Sequence, residues 1–333
     1  MRAQFTYPSS KSESVDLPAG IKLLCDYNNE DRFTRIACSP HGETLALPSR
    51  DGTIHMFDLD NRRANILYGH MAPVISIAFR SDAQLLASSS HDPEDNLIIW
   101  NRDSGSHFCL RGHANQCSTV DWLPNGTLVT GSYTDNTIRF WDIENRTCES
   151  LFCEGVSSVA HGFSGGRLII AASTLNGKIV LFDGANGTSI KTLEGHTNAL
   201  MVCFGQEVLV SCDKDHTIRI WDSKTGDGLR VLRNHTYHVL SVAYSPMSLW
   251  PPLLYSKSRD HTERLYTDNG REIARLQSRA IVADGWNCSG AWHPYFPRVP
   301  LLASITDGDR ALRILEIDLE LLLAQPCDQQ MFQ

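Results

Sequence analysis

The feature that most constrains this chain of 333 residues is a Trp-Asp dipeptide that recurs along it with a nearly constant spacing. Two copies are intact, Trp141-Asp142 and Trp221-Asp222. Five other segments hold a related residue at the same place, and the seven positions are Phe57, Trp100, Trp141, Phe182, Trp221, Tyr266 and Leu315. The steps between them are 43, 41, 41, 39, 45 and 49 residues. Self-similarity at one period of this length predicts an array of seven small structural units.

The third unit shows most clearly what one repeat folds into. It opens at Gly112-His113 and contains four short β-rich runs, CSTVDW, TLVTGSY, TIRFW and TCESLF. A Pro-Asn-Gly turn, a Thr-Asp-Asn turn and a third turn after Asp142 separate these runs. Since no helical period is visible, each unit is predicted to form four antiparallel strands.

A lone sheet of this size cannot cover both of its apolar faces, whereas seven sheets arranged radially bury those faces on one another. We therefore expect an all-β fold, a seven-bladed β-propeller of four-stranded antiparallel blades. Residues 20–25, GIKLLC, have the pattern of an outermost strand, and we expect them to join the last blade and close the ring. The expected organisation is a flexible leader over 1–19, the propeller over 20–318 and a tail over 319–333. In the tail, LELLLAQ is either a short helix or a competing strand.

The units resemble those of the WD-repeat (WD40) family, in which Gly-His and Trp-Asp recur about every 40–45 residues. The resemblance covers roughly residues 20–318 and implies a buried structural network of histidine, hydroxyl, aspartate and tryptophan in each complete unit. The residues expected in this network are His70, Trp100, His113, Ser132, Asp135, Trp141, His196, Asp215, Trp221, His235 and Asp260. The hydroxyls expected in the fifth and sixth units are Ser211 and Ser258. An insertion in the second unit leaves either Asp92 or Asp95 as the turn acid.

A histidine, a serine and an aspartate in one unit also resemble a hydrolase triad. A catalytic set is needed once, whereas this set recurs in at least three units, so we interpret it as structural. One aligned position of the innermost strands contains a single carboxylate, Asp121, with His161 and Cys203 nearby. One carboxylate is too few for a calcium or zinc site. We expect no enzymatic activity, no cofactor and no metal. The alternative is a propeller hydrolase or metal enzyme that uses Asp121.

Composition and charge restrict the class of partner. The net charge is −8, and such a surface repels phosphate backbones, so nucleic acid is not expected to bind. The most cationic stretch, 257–279, contains four acids and is interpreted as a solvated face of mixed charge, with RNA binding as the alternative. No membrane span or signal peptide is recognised, and ten scattered cysteines favour free thiols in a reducing compartment. We therefore expect a cytoplasmic or nuclear protein that is not secreted.

Candidate partner-binding residues lie where the units differ, because insertions in repeat arrays fall on exposed loops. The turn after the first strand is enlarged in the sixth unit and aromatic in the seventh, and a long loop precedes the seventh unit. Aromatic, arginine and proline side chains are typical of interfaces. The candidates are Trp250, Pro251, Tyr295, Phe296, Arg298, Arg279 and Trp286. The alternative is that these side chains fill gaps between blades.

The expected function is a non-catalytic scaffold or adaptor for protein–protein interactions within a multiprotein complex. The sequence does not identify the protein or peptide partner. In a second alternative, the protein is a substrate receptor for a cullin-type ubiquitin ligase. A hydrophobic pair, an aspartate and then Trp221-Asp222-Ser223-Lys224 are similar to the box by which some WD-repeat proteins dock on the ligase adaptor. The favoured last residue of that box is Arg, and here it is Lys224.

Overall fold

A computed structural model shows how the repeats are arranged in space. It describes residues 3–4, 17–28, 33–61, 63–246, 249, 251–277, 290–294, 300–306 and 311–324. Within these residues the chain forms 29 strands and one helix of six residues. The strands form seven antiparallel sheets, which are numbered below as blades 1 to 7 in chain order. The predicted all-β, seven-bladed propeller is confirmed.

The first half of the chain supplies three blades and two additional strands. The additional strands are β1 (Ala3–Gln4) and β2 (Ile21–Asn28). Blade 1 consists of β3 (Ala37–Cys38), β4 (Thr44–Pro48), β5 (Ile54–Asp58) and β6 (Arg63–Leu67). Blade 2 consists of β7 (Val74–Phe79), β8 (Leu85–Ser90), β9 (Leu97–Asn101) and β10 (His107–Cys109). Blade 3 consists of β11 (Thr119–Trp122), β12 (Leu128–Ser132), β13 (Thr137–Asp142) and β14 (Thr147–Phe152).

The second half supplies the other four blades and the helix. Blade 4 consists of β15 (Val156–Ser164), β16 (Arg167–Thr174), β17 (Ile179–Asp183) and β18 (Ser189–Leu193). Blade 5 consists of β19 (Ala199–Phe204), β20 (Val208–Asp213), β21 (Ile218–Asp222) and β22 (Gly228–Leu232). Blade 6 consists of β23 (Val239–Tyr244), β24 (Leu253–Ser258), β25 (Thr262–Thr267) and β26 (Glu272–Gln277). Blade 7 begins with β27 (Gly290–Trp292), β28 (Leu301–Thr306) and β29 (Ala311–Ile317), and the helix α1 (Leu319–Ala324) follows it.

The blades form a closed ring around an axis. The first strand of each blade contacts the first strands of both neighbouring blades, including β27 of blade 7 against β3 of blade 1. Seven apolar clusters fill the spaces between consecutive blades, one cluster to each pair. Between blades 2 and 3, for example, Ile99 packs in one cluster with Val120 and Trp122. Because each blade buries both of its faces on its neighbours, no separate central core is needed.

The ring is closed by the N-terminal strand, as the sequence predicts. Strand β2 pairs antiparallel with β29 and completes blade 7, whose strand order is β2-β29-β28-β27. The pairing aligns Ile21 with Ile317 and Lys22 with Glu316. The strand extends to Asn28, beyond the predicted end at residue 25. The short strand β1 adds to the outer edge of blade 1 by pairing with β6, although its residues were predicted to belong to a flexible leader.

The segment after the last strand forms a helix rather than a competing strand. The Asp318 side chain caps helix α1 by accepting the backbone N–H of Leu321 at 3.1 Å. Leu322 is fully buried and belongs to the apolar cluster between blades 6 and 7, which also contains Ile21. The helix therefore packs beside the start of strand β2, the strand that closes the ring. The proposed boundaries at residues 19 and 318 remain predictions.

Candidate functional site

Blade 3 contains a buried chain of hydrogen bonds that links its outer loop to two of its strands. The Trp141 indole N–H donates to the Thr130 hydroxyl at 2.8 Å. Thr130 Oγ1 lies 2.7 Å from His113 Nε2, and His113 Nδ1 lies 2.8 Å from an Asp135 oxygen. In the neutral imidazole with its proton on Nδ1, Thr130 donates to His113 and His113 donates to Asp135. All four side chains are then hydrogen-bonded to one another within the blade.

Blades 2 and 5 contain a similar chain that ends in an indole N–H, whereas blade 6 keeps the histidine, hydroxyl and aspartate and holds Tyr266 in place of the tryptophan. The hydroxyl that meets the histidine Nε2, at 2.7 Å in each case, belongs to Ser88, Ser211 and Ser256 respectively. In blade 2, Nδ1 of His70 contacts the backbone carbonyl of Asp95 at 3.2 Å. Asp95 of the inserted turn therefore takes part through its main-chain oxygen and not through its carboxylate. The sequence left either Asp92 or Asp95 open at this point.

The structure corrects the prediction that Ser132 belongs to this network. Along β12, Leu128 is paired with Trp141, whereas Ser132 is paired with Thr137 at the far end of the strand. Thr130, two residues before Ser132, is therefore the hydroxyl within reach of the indole. Ser132 instead accepts the backbone N–H of Thr134 in the following turn.

The same error occurs in blade 6, where the predicted Ser258 is the last residue of β24 and accepts a turn N–H, whereas Ser256 contacts the histidine. In both blades the predicted serine is two residues too close to the turn. Blade 5 is different, because Ser211 is the predicted hydroxyl and it does contact His196 at 2.7 Å.

Thr130→Val tests the corrected assignment. This near-isosteric change leaves His113 Nε2 and the Trp141 N–H buried without their partner, so we expect it to lower the free energy of unfolding by about 2–4 kcal/mol. Ser132→Ala is the matched control, with an expected loss of about 1 kcal/mol or less, because it removes only hydrogen bonds of the following turn and leaves the partner of His113 and Trp141 in place. Chemical denaturation of the two variants measures the difference. Equal losses would contradict the assignment.

The network histidines of blades 2, 3 and 6 are unsuited to acid–base catalysis. Burial lowers the pKa of His70 to about 4. It also lowers the pKa of His113 and of His235, in spite of their carboxylate neighbours. The side chains of His113 and His235 are at most 1% exposed. A general base needs a nitrogen within reach of its substrate, and these imidazoles are both neutral and enclosed.

Blade 5 adds a second carboxylate to its network. His196 Nδ1 lies 3.2 Å from Asp215 and 3.3 Å from Asp213. Burial alone would lower the pKa of His196, but the hydrogen bonds to Asp213 and Asp215 outweigh it and raise this pKa. Burial alone would raise the pKa of Asp213, but bonds from His196 and from the backbone of Asn198 and Thr197 hold it well below its usual range.

These three side chains are the one group, within the described residues, whose spacing could fit a metal ion. Their oxygens already accept protein hydrogen bonds. Asp213 takes the backbone N–H groups of Thr197 and Asn198, and Asp215 takes both the N–H and the hydroxyl of Thr217. An ion would have to displace this set, so the arrangement is better explained as an anchor for the loop. The absence of a metal remains a prediction.

The axis of the ring contains a cavity of about 300 Å³ lined by the first strands of several blades. Asp121 projects into it and pairs with His161 of the next blade at 2.8 Å. Burial alone would lower the pKa of His161, but the Asp121 carboxylate raises it. Arg35 also lines the cavity and donates to Ser76 at 3.0 Å. The carboxylate that the metal-enzyme alternative requires is thus engaged by a histidine.

Most of the predicted partner-binding residues lie outside the described residues, namely Trp250, Tyr295, Phe296, Arg298, Arg279 and Trp286. Pro251 is described and is partly buried. The neighbouring Leu249 is buried in the apolar cluster between blades 6 and 7. One side chain of the enlarged turn therefore packs inward, as in the gap-filling alternative.

Two cations of the stretch 257–279, Lys257 and Arg264, are buried, which corrects the solvated-face interpretation for these two residues, whereas Arg271 and Arg275 are exposed. Lys257 and Glu263 are buried and paired at 2.8 Å. Arg264 is also buried, and it contacts Glu272 at 2.8 Å and Asp260 at 3.5 Å. Charges that are enclosed in ion pairs cannot bind RNA phosphates, so Lys257 and Arg264 give the RNA-binding alternative no support.

Comparison with known proteins identifies the repeats. A family model for the WD domain, G-beta repeat, matches residues 61–100, 105–142 and 187–222. The chain is a WD40-repeat propeller. The three matched segments are the WD40 repeats that end in or just after Trp100, Trp141 and Trp221. These are the blades in which an indole N–H completes the buried hydrogen-bond chain.

Related proteins match most of this WD40 chain at low identity. It is 25% identical over 287 residues to protein tipD of Dictyostelium discoideum, covering 85% of the chain and 40% of tipD. It is 25% identical over 308 residues to the nuclear distribution protein nudF of Aspergillus niger, covering 81% of the chain and 68% of nudF. It is 26% identical over 231 residues to the COMPASS component SWD3 of Saccharomyces cerevisiae, covering 62% of the chain and 72% of SWD3.

The WD40 chain is shorter than several of the relatives that it matches. It spans 40% of tipD and 55% of the LEC14B homolog of Prunus armeniaca, which is about half the length of these two proteins. The similarity therefore concerns the propeller and not the remaining parts of those proteins. Separately, no helix in the described part of the chain has the length and apolar character that crossing a membrane requires.

Proposed function

We propose that this chain is a non-catalytic scaffold that brings other proteins together in a multiprotein complex. The observation that carries the proposal is that the histidines of the repeated hydrogen-bond networks are already engaged within their blades. In blades 2, 3, 5 and 6 both nitrogens of the network histidine already contact groups of the same blade. None of these four imidazoles is left to take a proton from a substrate. The remaining functional element is a rigid ring that presents variable loops on two rims.

The relatives support this proposal through what their names state. SWD3 is named as a component of a larger assembly, and nudF is named for nuclear distribution. We carry the general role of a complex subunit to this chain, without the particular partners of either protein. A place in the cytoplasm or nucleus is part of the same proposal, as are the candidate partner-binding residues Trp250, Pro251 and Phe296.

Purification of the tagged full chain from its own cells tests the proposal. We expect one or more proteins to co-purify in fixed proportion, and the purified chain to contain no stoichiometric metal. A chain that purifies alone with one metal ion per molecule would contradict the scaffold proposal and favour the metal-enzyme alternative. Metal content and partner abundance are measured on the same sample by elemental analysis and mass spectrometry.

The ubiquitin-ligase alternative is tested in parallel with Lys224→Glu. The Lys224 side chain is exposed, which docking requires, while Asp222 of the same segment accepts the backbone N–H groups of Lys224 and Thr225. If the protein is a substrate receptor, a cullin adaptor co-purifies with the wild type and is lost from Lys224→Glu alone. On the scaffold proposal, the same partners co-purify with both proteins.

A further inference from the structure

We infer that the rim of blades 5 and 6 binds an acidic peptide segment of a partner protein, an inference that rests on the proposed scaffold function. The surface is formed by Lys214, His216, Tyr237, His238 and Arg259, and is called the blade 5–6 patch below. It lies where the turn between β20 and β21 meets the loop before β23.

Three aromatic rings form the centre of the blade 5–6 patch. The rings of Tyr237 and His238 stack with centroids 4.4 Å apart and an interplanar angle of 18°. His216, from the neighbouring blade, lies 5.5 Å from Tyr237 and 5.7 Å from His238. Tyr237 is nevertheless 46% exposed. A stacked cluster of this kind offers a rigid, partly apolar surface of the type that anchors partner side chains.

The exposed charge of the patch is positive. Burial lowers the pKa of His238, and the nearby side chains of Arg259, His216 and Lys214 lower it further, while Asp213 acts in the opposite direction. The two permanent cations, Arg259 and Lys214, therefore lie close to this ring. Arg259 and Lys214 are partly exposed on the rim. Mutual repulsion of like charges is relieved when an anion binds between them.

Three aspartates lie beneath the patch, and each is already engaged. The Asp213 side chain is fully buried and contacts His196. The Asp215 side chain also contacts His196 and is 16% exposed. The Asp260 side chain is only 3% exposed and contacts both His235 and Arg264. The negative charge is therefore internal, whereas the surface that a partner would meet carries the cations.

His238 has an unused hydrogen-bonding group. Its Nδ1 atom is shielded from solvent and has no hydrogen-bond partner among the described residues. Buried polar groups are normally paired, and an unpaired one requires an explanation. A carboxylate or backbone group of a bound peptide would supply the missing partner.

The turns of blades 5 and 6 hold histidine at a position where blades 1 and 4 hold glycine and blade 3 holds Asn136. In the turn between the second and third strands, the left-handed position is Gly52 in blade 1 and Gly177 in blade 4. The same position is His216, with φ of 70°, in blade 5 and His261, with φ of 65°, in blade 6. A left-handed conformation is less favourable for histidine than for glycine. Strained residues of this kind cluster at binding sites.

The corresponding rim of blade 2 has the opposite charge and provides an internal comparison. Its turn carries Asp92, Glu94 and Asp95 and lies exposed or partly exposed. An acidic segment would be repelled there and attracted to blades 5 and 6, so the charge distribution orients the partner on the ring. Nucleic acid is less suitable than a peptide, because the net charge of the chain is −8 and the patch has only two permanent cations.

The test compares two double charge reversals in the full chain. The variant Lys214→Glu/Arg259→Glu changes the patch. Lys191→Glu/Arg230→Glu makes the same change of net charge on exposed outer strands of blades 4 and 5. The probe is a fluorescein-labelled decapeptide of alternating glutamate and leucine, followed by fluorescence anisotropy at low salt. We expect the patch variant to bind about tenfold more weakly or worse, and the control variant to bind within about twofold of wild type.

Three outcomes would overturn the inference: no binding of the peptide to wild type, equal losses in both variants, or tighter binding of a single-stranded oligonucleotide of equal charge. Circular dichroism establishes that both variants are folded. Co-purification separates this inference from the scaffold proposal. Partners that bind the wild type and remain in full on the patch variant contradict the patch alone, whereas a wild type without partners contradicts the scaffold function.

Discussion

Replacing Lys257 with methionine is expected to lower the free energy of unfolding by about 3–5 kcal/mol, because it leaves a buried carboxylate without its cation. Lys257 and Glu263 face each other across β24 and β25 of blade 6, and their side chains are 0% and 2% exposed. The Lys257 ammonium also donates to the carbonyl of Ile305 in blade 7 at 2.7 Å. The pair thus sits at the interface beside the blade that closes the ring.

The other contacts of Glu263 explain why its charge is retained. Its second oxygen accepts the hydroxyls of Tyr255 and Ser304, each at 2.9 Å. Burial alone would raise the pKa of Glu263, but the attraction of Lys257 outweighs it and lowers this pKa. The carboxylate is therefore ionised in the folded protein and depends on the lysine for its stability.

A double variant tests whether the loss arises from the unpaired carboxylate. Lys257→Met/Glu263→Gln removes both charges, and we expect it to recover more than half of the loss seen for Lys257→Met. Lys178→Met is the surface control, since it removes an exposed ion pair with Glu194 and should cost about 1 kcal/mol or less. The shift of the urea midpoint is measured for all three. A loss for Lys257→Met no larger than that for Lys178→Met would contradict the role given to the buried pair.

The architecture could be predicted from the sequence because the same pattern of strands and turns recurs seven times. A degraded copy, such as the one around Leu315, is recovered from its spacing even though its tryptophan is absent. The closure could be predicted as well, because residues 20–25 have the pattern of a strand without a unit of their own. Both predictions rest on periodicity and edge pairing, which do not require knowledge of individual side-chain contacts.

Individual contacts could not be predicted so well, for physical reasons that differ between sites. Thr130 and Ser132 lie two residues apart on one strand, so they share a face, and only the register against Trp141 decides between them. The sequence predicts Lys257 and Glu263 to be surface residues, because isolated charges are usually exposed. Their burial depends on the strand pairing that brings them together.

The blade 5–6 patch left a signal in the sequence that was not recognised. His216 and His261 follow an aspartate in the tight turn, at the place where Gly52 and Gly177 stand in other units. A histidine at a position that favours glycine indicates a local cost in conformational stability, and such costs are expected at functional sites. The proximity of Tyr237 to His216 could not be foreseen, since the two come from different blades.

Cross-linking the two ends of the chain is expected to produce the largest stabilisation that a single covalent bond can give to this ring. Lys22 and Glu316 are paired across β2 and β29, and directly opposite residues on paired strands lie at a separation that a disulfide can bridge. In Lys22→Cys/Glu316→Cys the bond would enclose nearly the whole chain, so we expect a gain of about 4 kcal/mol in the free energy of unfolding. If the N-terminal strand did not complete blade 7, the bond would bring no such gain.

Both functional proposals require a rigid ring that its own two ends hold shut. The most direct measurement is mass spectrometry of the oxidised Lys22→Cys/Glu316→Cys monomer, with each single variant as a control for the native cysteines. The closed ring predicts one dominant intrachain link between the peptides that contain positions 22 and 316, formed in the folded monomer and absent from both controls. A folded monomer in which these two positions remain unlinked, or link only between molecules, would contradict the closed seven-bladed ring.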